Sequence, residues 1–149
     1  MNWSKDTSVR LSRICVAAFA LGLLALDIGA YPVAAWYTAH RLYRLQHGAL
    51  LTVSIYLGSL FAWICLYHLW RLLGSIRDGE VFVDGNVRRL RIVSWCCIGA
   101  GAICLLSAAY YLPFIFIAAA AGFLALIVHI VKNAFRHAVL MKDELDLTV

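Results

Sequence analysis

Asp27, His68 and His129 are the residues that interrupt otherwise apolar stretches, and they bound the chemistry open to this chain. Asp27 sits in the first stretch, with Tyr31 four residues on and on the same helical face. A charged, unpaired carboxylate at that depth costs about 3 kcal/mol or more. Its functional reading is a proton or cation site. Its structural reading is a protonated or hydrogen-bonded acid facing the bundle, which the lack of an intramembrane Lys or Arg partner favours. His68 and His129 fall near the ends of their stretches at similar depth. Two facing imidazoles can ligate a haem iron or another metal. Single histidines at helix ends more often bond a carbonyl, a hydroxyl or a lipid headgroup, and no motif accompanies this pair, so no cofactor or metal is assigned. Cys15, Cys65, Cys96, Cys97 and Cys104 all lie within apolar sequence and form no Cys-x-x-Cys. They read as small apolar residues. No Ser-His-Asp order, phosphate loop or carboxylate pair stands out, so the chain does not read as an enzyme.

These residues need elements to position them, and composition names the elements. Of 149 residues, 64% are hydrophobic and 14% charged. Soluble domains carry about 45–50% apolar and about 25% charged residues. The apolar residues gather in four blocks, at about 14–37, 49–73, 92–112 and 113–131. Each can cross a hydrocarbon core about 30 Å thick as a helix. None shows the alternation of an outer-membrane strand. A soluble enzyme, a nucleic-acid-binding domain and a disordered chain are all excluded as readings. The first block is too long for a signal-peptide core and contains an acid, so it reads as a retained helix. Lys142-Asp143-Glu144-Leu145 spells a retention signal, but that signal must be terminal and four residues follow it.

Charge sets the orientation. The net charge is +5, and of the 13 Lys and Arg only Arg41 and Arg44 fall between the first two blocks. The others precede the first helix, separate the second from the third, or follow the fourth. The expected protein is therefore an all-α, antiparallel bundle of four transmembrane helices with both termini cytoplasmic, in the inner membrane. Residues 38–48, with Tyr37 and Tyr43 at interfacial depth, form one outer loop, and a turn near Tyr110 to Pro113 forms the other. Small-residue stripes predict where helices touch: Ala18, Gly22, Ala25 and Gly29 on the first; Ser54, Gly58, Phe61, Cys65 and His68 on the second; Ala118, Gly122, Ala125 and His129 on the fourth. Such stripes serve contacts within one chain and between copies alike, so a homo-oligomer fits them as well.

Two soluble segments remain, a cytoplasmic loop at 74–91 and a tail at 132–149. In the loop, Gly74 reads as a helix stop, Gly79 and Gly85 as turns, and Asp84 or Asn86 as a cap for the next helix. Its arginines can meet anionic headgroups while Phe82, Val87 and Leu90 dip toward the apolar layer. In the tail, Phe135, Ala138, Val139 and Lys142 share one face if the fourth helix continues. Leu145, Leu147 and Val149 alternate with Asp146 and Thr148, the rhythm of a strand. Such a strand can pair with a partner's sheet edge, fold back on the loop, or fray.

Gly79, Phe82, Asn86, Leu90 and Arg91, followed by Val131-Lys132-Asn133-x-Phe135 and the terminal run 142–149, carry a likeness to a known family. The chain resembles the YoaS-like group of prokaryotic four-helix integral membrane proteins, a domain of unknown function. Leu145 is a departure, standing where many relatives carry Asn. The resemblance implies an inner-membrane protein with no assigned activity, of a kind often encoded beside a small helix-turn-helix regulator. The leading expectation is thus a non-enzymatic regulator or sensor that binds a cytoplasmic partner and touches no nucleic acid itself. Its contact residues would be Gly79, Phe82, Asn86, Leu90, Arg91, Leu145, Asp146, Leu147, Thr148 and Val149. The alternatives are a small transporter or proton-coupled carrier using Asp27, and a haem-binding electron carrier using His68 and His129.

Overall fold

A computed structural model describes residues 3–40 and 48–148. They form four helices: α1 (Trp3–His40), α2 (Gly48–Arg77), α3 (Asp84–Ser107) and α4 (Phe114–Leu147). There is no strand among the described residues. All four helices are long and apolar enough to cross a membrane, which makes this a multi-pass membrane protein. Residues 41–47, which hold Tyr43 and most of the loop expected at 38–48, and Val149 lie outside the described residues, as do the side chains of Tyr37 and Asp146.

The helices pack in chain order. α1 lies on α2, α2 on α3 and α3 on α4, and no other pair meets among the described residues. The antiparallel bundle is therefore open, with α2 and α3 inside and α1 and α4 at its two edges. Burial concentrates in α3: 33% of its span is buried, against 6–17% of the others. α3 is also the least apolar of the four spans. α3 packs on α2 and on α4, and its buried Ser107 and Ser94 each find a hydrogen-bond partner across one of these seams.

Two of the three small-residue stripes face a neighbour. On α2, Ser54 meets Ser107, Phe61 lies against Gly99, and Cys65 faces Cys97, all across the α2–α3 seam. A Cβ added to Gly99 would come within 2.7 Å of the Phe61 ring, so only glycine lets that ring lie against α3. On α4, Ala118, Gly122, Ala125 and His129 line the α3–α4 groove, where Ser94 Oγ donates to the carbonyl of Ala125 at 3.3 Å. The α1 stripe faces outward instead, with Ala18, Gly22 and Ala25 exposed. α1 meets α2 through a different face, which includes Val16, Asp27 and Ala30.

Helix ends depart from the apolar blocks: α1 and α3 begin before theirs, at Trp3 and Asp84, and the ends of α2, α3 and α4 differ as well. α2 runs through Gly74 to Arg77, and Gly79 just beyond it, with a φ of +83°, supplies the left-handed cap. Gly79 N donates to Ile76 O at 3.2 Å and Glu80 N to Ser75 O at 3.0 Å. That pair of bonds is a Schellman motif, which satisfies carbonyls that Gly74 would leave open. α3 ends at Ser107, before its block does, because the chain must turn before Pro113 to start α4. α4 continues past its block to Leu147. The alternation at 145–149 is too short to override helix propagation, and the Thr148 hydroxyl donates back to Leu145 O at 2.8 Å to close the last turn.

Candidate functional site

The chain termini and the α2–α3 connection share one end of the bundle, the arginine-rich end. Its connection is short, because α3 already begins at Asp84. No side chain caps α3: the N-cap is Val83, in extended backbone. Asn86 does something else. It is 0% exposed, and its Nδ2 donates to Glu80 O at 2.8 Å and Val81 O at 3.0 Å. Its Oδ1 accepts from Arg89 Nη1 at 2.8 Å. One amide thus ties the connection down onto the first turn of α3. Ser75 Oγ adds a bond to Glu80 O at 3.0 Å.

The tied connection presents Phe82 outward. Its ring packs on Phe135 of α4, with centroids 5.6 Å apart. Phe135, Ala138 and Val139 form the inner face of the α4 extension, whereas Lys142 is exposed. This contact joins the loop and the tail into one surface. Of the contact residues expected from the sequence, Gly79, Phe82, Arg91, Leu145, Leu147 and Thr148 are exposed. Asn86 and Leu90 are buried, so they shape this surface from beneath and do not form it.

The same end holds a grouping that sequence reasoning missed. Arg13 of α1, Arg71 of α2 and Arg89 of α3 line one cavity of about 350 Å³, together with Ser75, Asp78 and Glu80. The Arg13 guanidinium lies 4.4 Å from the centre of the Trp70 ring, and its Nε is buried with no hydrogen-bond partner. Arg89 Nη1 also reaches Arg71 O, at 3.4 Å. The available signal was depth. Arg13 opens the first block, Trp70 and Arg71 close the second, and Arg89 precedes the third.

Deeper in the bundle, Asp27 is held by α2. Trp63 Nε1 donates to its Oδ2 at 2.9 Å, and the Tyr56 hydroxyl donates to its backbone carbonyl at 3.1 Å. Its Oδ1 is buried without a partner. Tyr31 is exposed. The two histidines do not converge. His68 sits edge-on to Tyr67 at 5.3 Å, while His129 is exposed in the α3–α4 groove. α3 stands between their helices, and α2 and α4 do not touch. The described residues hold no group of three or more His, Cys, Asp or Glu placed to bind a metal. All five thiols are free, and Cys65 and Cys97 come together although 32 positions apart in the chain.

A family model described as a protein of unknown function, DUF2975, matches residues 23–149. The chain belongs to that family. The matched span includes Asp27, the α2–α3 connection and the whole of α4, and it leaves Arg13 outside. Membership agrees with the likeness in loop and tail to a domain of unknown function. No curated protein and no solved structure matches the chain.

Proposed function

We propose that this protein is a non-enzymatic regulator or sensor of the inner membrane that binds a cytoplasmic partner at its arginine-rich end. The observation that carries this reading is the Phe82–Phe135 contact, which makes the loop and the α4 extension one surface. Leu145 and Leu147 on that extension are 68% and 87% exposed, at and past the end of the apolar span. The acids Asp143, Glu144 and Asp146 give the same stretch a negative character, suited to a basic protein surface. A small helix-turn-helix regulator is the partner this chemistry and the family likeness favour. The excess of Lys and Arg at this end supports placing it in the cytoplasm.

Co-purification of the detergent-solubilised protein with a helix-turn-helix regulator encoded beside it tests the reading. Intact protein should capture the regulator, and removal of residues 145–149 or Phe82→Ala should reduce capture at least tenfold. Undiminished capture by both variants, or no capture by the intact chain, counts against it.

A second reading rests on one specific feature, the partnerless buried Oδ1 of Asp27. It supports a small proton-coupled carrier in which that oxygen holds the transported proton. Asp27→Asn should then abolish proton-driven flux in reconstituted vesicles. Unchanged flux, or none in the wild type, removes this reading. The haem reading gains no support from the placement of His68 and His129, and the purified protein should show no Soret band.

A further inference from the structure

The cavity between Arg13, Arg71 and Arg89 differs in kind from two larger grooves of this fold. Those grooves, of about 860 and 560 Å³, are lined almost wholly by apolar side chains. This one is mainly polar and draws a guanidinium from each of three helices. Three arginines face two carboxylates, Asp78 and Glu80, so positive charge is in excess.

Two of the guanidiniums are fixed before any ligand arrives. Arg13 is held by its face on Trp70, a stacking that leaves its edge donors unused, and its Nε has no acceptor. Arg89 is held through one nitrogen, Nη1, by Asn86 Oδ1 and Arg71 O. Its remaining donors are free for another acceptor. A planar guanidinium with its edge available matches the paired oxygens of a phosphate group. Collecting three of them without an anion sets like charges against one another at the rim of the bilayer, where water screens them only in part.

We propose that this cavity binds a phosphate-bearing anion, with Arg13, Arg71 and Arg89 as its donors. Its volume falls within the range of about 300–1,000 Å³ for small-molecule sites and is too small for a protein segment. All three arginines lie at the ends of their membrane spans. A phosphodiester of an anionic lipid can reach the cavity from the headgroup layer, and a soluble phosphate ester can reach it from the aqueous side. The inference does not depend on the partner-binding reading, since it concerns a different set of residues.

The test uses the full chain in nanodiscs of phosphatidylcholine. Arginine modification by phenylglyoxal is followed residue by residue with mass spectrometry. One arm replaces a fifth of the lipid with phosphatidylglycerol, a second adds inorganic phosphate, and a third adds glycerol 3-phosphate. In at least one arm, Arg13 and Arg89 should be protected fivefold or more, while Arg136 on the exposed side of α4 keeps its rate. Protection by phosphatidylglycerol alone assigns a lipid, and protection by either soluble probe assigns a soluble phosphate. Equal reactivity of Arg13 and Arg89 in all arms overturns the proposal. Arg13→Gln should weaken binding of the effective ligand at least tenfold and Arg13→Lys by less, since it keeps the charge but loses the planar edge, whereas Arg136→Gln should stay within about twofold of wild type. The wild-type protection pattern decides the matter even if Arg13→Gln fails to fold. Retention of binding by a folded Arg13→Gln variant also overturns it.

Discussion

Asp27 shows how far a residue type can be read and where the reading stops. Its depth and its lack of a basic partner follow from the chain, and both point to a neutral or hydrogen-bonded acid. That the bond comes from Trp63 does not, because the two residues lie 36 apart and meet only when α1 lies on α2. Trp63 is exposed on the fold but lies in an apolar span, where removing one member of a hydrogen-bonded polar pair costs more than removing both. Trp63→Phe should therefore lower stability by about 1–3 kcal/mol. Adding Asp27→Leu should recover most of that loss, as read by unfolding in detergent micelles. Asn86 was legible only as a helix cap or a contact residue. Its actual role, three bonds that pin the loop, depends on Glu80 and Val81 curling back over α3. Asn86→Ala takes the amide donor from Val81 O and leaves Glu80 O with Ser75 Oγ alone, and should cost about 1–3 kcal/mol. Faster amide exchange confined to residues 79–86 would mark the loss, and unchanged exchange there would refute this role.

At the scale of elements, the apolar blocks located four helices but not their ends. Hydropathy reports where lipid can lie against the chain, whereas a helix ends where its last carbonyls find other donors. Hence α2 passes Gly74 and ends at Arg77, with Gly79 as its left-handed cap. Gly79→Ala forces a side chain into the left-handed region and should cost about 1–2 kcal/mol. Gly74→Ala, inside the helix, should be neutral or slightly stabilising. The contrast between these two variants in a thermal melt checks the assignment. The stripe on α2 was read as a contact face and does face α3. Gly99→Val should drive Phe61 out of that seam and destabilise the fold by about 1–3 kcal/mol. Phe61→Ala should add little further loss on a Gly99→Val background, a non-additivity that melting of the four-member cycle measures. The outward-facing stripe on α1 was not foreseeable, since small residues allow close approach without selecting the neighbour.

For the whole molecule, the distribution of Lys and Arg carries a topological prediction. Reporter fusions active only in the cytoplasm should work at either terminus and in the 78–83 connection, and should fail in the 41–47 loop. Activity in that loop would invert the molecule and move the arginine cavity to the other side. Much of this protein was determined by its sequence alone: four membrane helices, their antiparallel order, the sidedness of charge, and the continuation of Phe135, Ala138 and Val139 on one face of α4. Those features rest on local periodicity and on lipid as solvent, which act on each segment separately. Only the tertiary structure decided that the helices pack in chain order with α2 and α3 inside, that His68 and His129 stay apart, and that Phe82 reaches Phe135. It alone brought Arg13, Arg71 and Arg89 around one cavity. In a membrane, most of each helix surface is apolar whichever way it turns, so hydrophobicity does not select the face that packs. That choice falls to close approach, as at Gly99, and to single bonds such as Trp63 to Asp27 and Ser94 to Ala125, made between residues distant in the chain.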